Sequence, residues 1–268
     1  MIKMANLEIK SLDKNQLNEF ATFCVPKGKE AEPFFIEGVK LKNEWLIYQY
    51  NRFGSIAKLA YVNTELVGII QYLTRVDEQV IEIQCIYVPS RENQQKGIGK
   101  ALIDSLIKDM RIPKSYFNNQ KPNALITYAF EVPGMYPQHK FYKKIGFIQT
   151  QKEDPYSLYF PLKKEYKYKP KISKANFKAL PDDKNKALIY LDPNCPFSYM
   201  FARNFENSIK EVKKDIEVKY INIFTQKDDV QKRGGFVPFC VVNQKPINTF
   251  FTNRELFLKE VKEALNLS

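Results

Sequence analysis

The chain has 268 residues, 44% of them hydrophobic, with 20 Phe and 16 Tyr, which is enough apolar material for two cores. Its net charge of +12 favours anionic partners without naming one. Four widely spaced cysteines with no C-x-x-C pair, and a single histidine, His139, argue against a disulfide scaffold, a metal enzyme and a Ser-His-Asp or Cys-His hydrolase.

No apolar run approaches the roughly 20 residues of a membrane span, and the opening MIKMANLEIK lacks the apolar centre of a signal peptide. The expectation is a soluble, cytoplasmic protein with no membrane partner. Lysines are spread along the chain, and no zinc-finger, RRM or basic-zipper pattern occurs, so nucleic acid is not expected as a partner.

In chain order, 7–12 reads as a first strand ending at Asp13, which can cap a helix over 15–23. Val39, Leu41, Trp45, Leu46 and Tyr50 suggest a second helix, and the polar segment CVPKGKEAEP between the two holds Cys24. Runs over 56–62 and 66–74, separated by Asn63-Thr64-Glu65, read as a hairpin in which Gly68 marks a bulge or a close backbone approach.

The stretch 80–110 is the most informative. VIEIQCIYV is rich in β-branched residues and reads as a strand, while Ala101, Leu102, Leu106 and Ile107 recur at helical spacing. PSRENQQKGIG is therefore a strand-to-helix turn. There the first N–H groups of the helix lack intrahelical partners and the dipole adds about half a positive charge, so an anion fits. Gly97 and Gly99 let the backbone approach a phosphate, and Lys96 and Lys100 add charge around it. The spacing around Gly97-Ile98-Gly99-Lys100 excludes a Walker A loop, and Leu102 stands where a dinucleotide fingerprint needs a third glycine.

Beyond a polar connection over 111–122, a buried strand is expected over 123–130, then a loop with Pro133, Gly134 and Pro137, the run QHKFYKKIGFIQT, and a last strand over 156–162. From 163 to 184, eight lysines stand against three acids with no apolar period, which reads as an interdomain linker. KALIYLD then opens a second domain, followed by PNCPFS, a helix over 199–213, strands in IEVKYINIF and GFVPFCVVN, and a closing helix over 253–267.

Two of these stretches carry a family resemblance. Gln94, Gly97 and Gly99 fit Gln/Arg-x-x-Gly-x-Gly/Ala, and Phe141, Tyr142, Lys144, Gly146 and Phe147 fit F-Y-x-K-x-G-F. With the hairpin before the first and a strand between them, they resemble the core of GNAT-family N-acetyltransferases over residues 7–162. Two departures stand out: the loop over 88–97 is about one residue longer than the commonest form, and Met135 and Gln138 replace the Asn and Ala often found before F-Y.

That resemblance implies an α/β GNAT fold, a mixed, mostly antiparallel central sheet with flanking helices, and transfer of an acetyl group from acetyl-CoA to an amine of a small molecule or peptide. Ile86, Tyr87 and Val88 would pair with the pantetheine amides, and Gln94, Gln95, Lys96, Gly97, Ile98, Gly99 and Lys100 would hold the pyrophosphate. Tyr142 takes the position of the family's general acid, which gives its proton to the CoA sulfur. Glu82, near where some relatives place a glutamate, is the expected base, with Glu131 or water as alternatives. The first helices and their loop, with Cys24 and Trp45, would line the acceptor pocket.

The second domain resembles a small thioredoxin-like α/β domain, and the whole resembles proteins with a C-terminal YoaP-like domain. On that resemblance Cys195-Pro196-Phe197-Ser198 is a monothiol site, its thiol pKa lowered by a helix start, and Val237-Pro238 takes the place of the fold's cis-proline. The expected organisation is a GNAT domain over 1–162, a basic linker over 163–184 and a thioredoxin-like domain over 185–268. The alternative is a thiol-redox or thiol-carrier protein acting through Cys195, with the first domain sensing acetyl-CoA.

Overall fold

The computed structural model describes residues 6–129, 136–170 and 176–267. Its elements are, in order, β1 (Leu7–Ser11), α1 (Leu17–Thr22), α2 (Pro33–Phe53), β2 (Ala57–Val62), β3 (Glu65–Arg75), β4 (Val80–Tyr87), α3 (Ile98–Met110), β5 (Ala124–Tyr128), α4 (Gln138–Lys144), β6 (Ile148–Gln151) and β7 (Asp154–Pro161). They continue with β8 (Lys186–Leu191), α5 (Ser198–Val212), β9 (Glu217–Asn222), α6 (Lys227–Lys232), β10 (Cys240–Val242), β11 (Lys245–Ile247) and α7 (Arg254–Ala264). Internal contacts divide the chain into two units, 1–20 with 48–171 and 21–47 with 172–268.

In the first unit a seven-stranded sheet runs β1-β2-β3-β4-β5-β7-β6, and every neighbouring pair is antiparallel except β4 and β5. Asp13 caps the first helical turn as the sequence implies. Its carboxylate accepts the Asn15 N–H at 3.0 Å, and Gln16 answers by accepting the Asp13 N–H at 3.1 Å, a reciprocal box. The two-residue loop of the β2–β3 hairpin has positive φ at both Asn63 and Thr64, the backbone that keeps tightly joined strands in their native twist. Gly68 serves in both expected ways. The register shifts beside it, leaving Val67 as the extra residue, and a Cβ there would stand 3.1 Å from both Ile98 and Val88.

The amphipathic face of α3 buries Ile98, Leu102, Ile103, Leu106 and Met110 against Ile81, Ile83 and Leu125 of the sheet, and Tyr142 and Phe147 complete the same core. Lys58 of β2, only 3% exposed, reaches Asp109 near the end of α3 at 2.6 Å and also donates to Ser11, which fixes the helix along the sheet.

The second unit has a four-stranded sheet ordered β11-β10-β8-β9, with β8 and β9 parallel, β10 antiparallel to β8 and β11 antiparallel to β10. Helices α5 and α7 pack Phe205, Ile209, Phe257 and Val261 onto Ala187, Ile189, Cys240 and Val242. Neither α6 nor the β10–β11 hairpin is foreseen in the sequence.

The lysine-rich stretch differs from a free linker. Tyr166 and Tyr168 pack on Val80, Ala124, Ile126 and Tyr159, and the Tyr168 hydroxyl donates to Glu78 at 3.0 Å. Further on, Asp183 is buried in a two-pronged ion pair with Arg233, at 2.6 and 3.0 Å. The tyrosines and one aspartate dock the ends of the segment, although its described lysines are exposed.

Candidate active site

Two irregularities in β4 shape the site. Gln71 opposes Cys85 whereas Tyr72 opposes Ile83, so Gln84 is an extra residue, a bulge that bends the strand. The parallel ladder to β5 runs from Val80–Ala124 only as far as Ile83–Thr127, while β4 itself continues to Tyr87. The two parallel strands therefore part at Ile83 and Thr127. Ile86 and Tyr87, expected to meet an extended ligand, lie on the stretch of β4 beyond that point, and Val88 follows it.

The loop after β4 is braced from within, because the Gln94 side-chain amide donates to the Val88 carbonyl at 3.0 Å. Gln94 of the motif thus shapes the loop. Gln95 and Gly97 have φ of +60° and +88°, and Gly97 is the N-cap of α3 with no side-chain cap, so the N–H groups of Ile98, Gly99 and Lys100 open the helix. Gly97 is required by its φ, as nothing lies within 4 Å of where its Cβ would be. Gly99 has a different reason: its Cβ would stand 3.1 Å from the Phe141 ring, so it lets α3 and α4 approach. Lys100 pairs with Asp104 at 2.5 Å on the helix surface, and Lys96 is exposed. A compact anion fits this helix start sterically and electrostatically.

Tyr142, on α4, is 1% exposed. Burial raises its phenol well above the usual range, against a hydrogen bond with Thr127 that pulls the other way. The Thr127 hydroxyl donates to the Ile83 carbonyl at 3.1 Å, which holds Thr127 at the end of the β4–β5 ladder beside the phenol. The phenol therefore ends where β4 and β5 part. Thr127 is the residue that the sequence reading overlooked, and its signal is a hydroxyl in the otherwise apolar run ALIT.

Glu82 shares a sheet face with Val80, so it lies on the opposite face from Ile81, Ile83 and Tyr142. Its carboxylate is held by Arg75 at 2.5 Å, and Arg75 also binds Glu78 at 3.1 Å. Glu131 and Met135 lie outside the described residues.

In the second unit, Cys195 departs from the expectation of a depressed pKa. The helix α5 begins only at Ser198, and burial pushes the Cys195 thiol up to about 11, outweighing the nearby Lys42 ammonium and the Phe197 N–H. The loop lies directly on α2: a Cβ on Gly38 would stand 2.0 Å from the Pro196 carbonyl oxygen, and the Phe35 and Phe197 rings meet edge to face at 5.2 Å. Lys42, one turn beyond Gly38 and 1% exposed, acts electrostatically on both Cys24 and Cys195. The structure thus gathers Cys24 and Cys195 into one unit, with both thiols free and both raised by burial. The Val237–Pro238 bond is trans, as is every peptide bond among the described residues, in line with the ordinary trans preference of X–Pro.

Among the described residues, no group of three or more His, Cys, Asp or Glu could hold a metal ion, and no helix is long and apolar enough to cross a membrane. The first unit has the mixed central sheet of an α/β GNAT fold, and residues 21–147 match the family model described as Acetyltransferase (GNAT) family. Similar solved structures include the PaiA N-acetyltransferase from Thermoplasma acidophilum in complex with coenzyme A, 18% identical over 58% of this chain and 97% of that one, TM-score 0.42. A GNAT-family acetyltransferase from Staphylococcus aureus Mu50 is 19% identical over 59% of this chain and 99% of that one, TM-score 0.43. The ribosomal-protein-alanine N-acetyltransferase from Brucella melitensis biovar Abortus 2308 is 23% identical over 52% and 90%, TM-score 0.37. No curated protein matches the chain.

Proposed function

We propose that the protein is an N-acetyltransferase that moves the acetyl group of acetyl-CoA to an amine of a small molecule or peptide. The observation that carries this reading is the coincidence, at Ile83 and Thr127, of the end of the parallel ladder with the buried Tyr142 hydroxyl. The Gly97 helix start a few residues further along supplies the matching anion site. Acetyl-CoA contributes the activated thioester, and the protein's residues hold and protonate it.

In this reading the N–H groups at 98–100 receive the pyrophosphate, and the backbone of 86–88 pairs with the pantetheine arm. The incoming amine nitrogen bonds to the acetyl carbon as the carbon–sulfur bond breaks. Tyr142 gives its proton to the departing sulfur. Burial keeps the phenol protonated at neutral pH and also raises the basicity of a thiolate formed beside it, so the proton has somewhere to go, and a thiolate with a lower pKa than free ammonium groups is a better leaving group than the amine. Glu82, on the other face of the sheet, is proposed to accept the proton lost by the amine through intervening water, with Arg75 keeping its carboxylate in place.

Replacing Tyr142 with Phe is expected to lower kcat by about 100-fold while leaving acetyl-CoA affinity within a factor of about two. CoA release measured by thiol titration, alongside calorimetric binding of acetyl-CoA, checks this; unchanged kcat removes Tyr142 from the chemistry.

The second unit is read as thioredoxin-like and of the YoaP type. Support comes from its β-α-β-α-β-β-α order and from one parallel and two antiparallel strand pairs. The raised Cys195 thiol speaks against the thiol-redox or thiol-carrier alternative and for a binding role.

A further inference from the structure

One residue beyond Thr127, β5 ends in Tyr128, which is 57% exposed. Its ring centroid lies 6.1 Å from that of Tyr156, with the planes tilted by 55°. Tyr156 in turn meets His139 of α4 nearly at right angles, at 5.5 Å. These rings stand on a fixed frame. Tyr128 is paired with Ser157 in the β5–β7 ladder, and the Tyr156 carbonyl accepts the Ala129 N–H at 2.8 Å. The Asp154 carboxylate accepts the N–H groups of Tyr156 and Ser157 at 3.0 and 3.3 Å.

A tyrosine that is more than half exposed on a paired strand gives little to the core, yet consecutive Cα atoms are only about 3.8 Å apart, so Tyr128 adjoins Thr127, the hydrogen-bond partner of Tyr142. An amine whose nitrogen lies at the end of the β4–β5 ladder has its next few atoms beside this ring. Two tilted aromatic rings present faces and edges to a third ring at offset or edge-on geometry, with centroids roughly 4.5–7 Å apart. An aliphatic chain gains only contact area from the same surface.

We propose that Tyr128 and Tyr156 form an aromatic wall that selects the acetyl acceptor, favouring primary amines with an aromatic ring two or three bonds from the nitrogen over aliphatic amines of equal size. The proposal rests on the acetyltransferase reading above. Tyr128 and Tyr156 determine specificity; neither is placed in the proton transfers.

The test uses the full chain, acetyl-CoA, 2-phenylethylamine and 2-cyclohexylethylamine, which has the same number of non-hydrogen atoms. Steady-state CoA release is expected to give a kcat/KM at least about tenfold higher for 2-phenylethylamine. In Tyr128→Ala that preference falls to within about threefold, chiefly through KM for the aromatic amine, and Tyr128→Phe restores it. Saturation-transfer NMR of 2-phenylethylamine is the second readout, since it reports ring contact without turnover; the signal is expected with the wild type and lost in Tyr128→Ala. Turnover of both amines with no preference, or a preference unmoved in Tyr128→Ala, overturns the wall and leaves the acetyltransferase reading standing. Ring contact that depends on Tyr128, with no acetylation of either amine, supports the wall and counts against that reading. Neither contact nor turnover overturns both.

Discussion

At Cys195 two influences oppose each other. A sulfur near a helix start gains from free N–H groups and the dipole, but here the helix begins three residues later and the side chain is withdrawn from water. With the thiol near 11, thiolate becomes abundant only as pH climbs towards that value, so at pH 7.5 iodoacetamide should modify Cys195 about ten- to a hundredfold more slowly than in the denatured chain, and the rate should rise about tenfold per pH unit up to about pH 10. Peptide mass mapping over a pH series checks this; a fast reaction at pH 7.5 would restore the thiol-based alternative. The sequence could not show this outcome, because CPFS specifies a cysteine before a helix but not the helix α2 lying on it through Gly38. Tyr142 is the contrasting case. Its place in F-Y-x-K-x-G-F was legible, whereas its partner Thr127 depends on a strand pairing that no short motif encodes.

Among the elements, β4, its loop and α3 were readable almost to the residue, since a β-branched run, a polar turn and a helical apolar period follow one another over 80–110. The elements that escaped notice are short. α6 has six residues and β11 has three, one of them Pro246, too few for any period to emerge. The start of α3 offers a direct check on the anion site. A Cβ at position 97 has open space but the wrong handedness, so Gly97→Ala is expected to cost about 1–2 kcal/mol in urea unfolding and to weaken acetyl-CoA binding about tenfold or more by calorimetry. Unaltered affinity would show that this helix start does not hold the donor.

For the molecule as a whole, the expectation of two domains consecutive in sequence meets a different division. Two units exist, but residues 21–47 group with 172–268. Composition marks a boundary where charge and proline accumulate, and it has no means of marking a segment whose partners lie more than a hundred residues away. Phe35 and Gly38, which meet Phe197 and Pro196, would lose those partners in a fragment ending at 162. Such a fragment is expected to unfold at least about 10 °C below the full chain and to bind the dye ANS, measured by calorimetry and fluorescence. A fragment as stable as the full chain would make 21–47 part of the first domain after all.

That same division bears on how the protein is made. On the ribosome residue 47 is synthesised 125 residues before residue 172, and at bacterial-like elongation rates the interval is about 6–25 s. Throughout it, the apolar face of α2 with Phe35, Trp45 and Leu46 has been made while the C-terminal part of its unit has not. The nascent chain therefore carries an apolar segment that stays without its later partners until residues 172–268 are made.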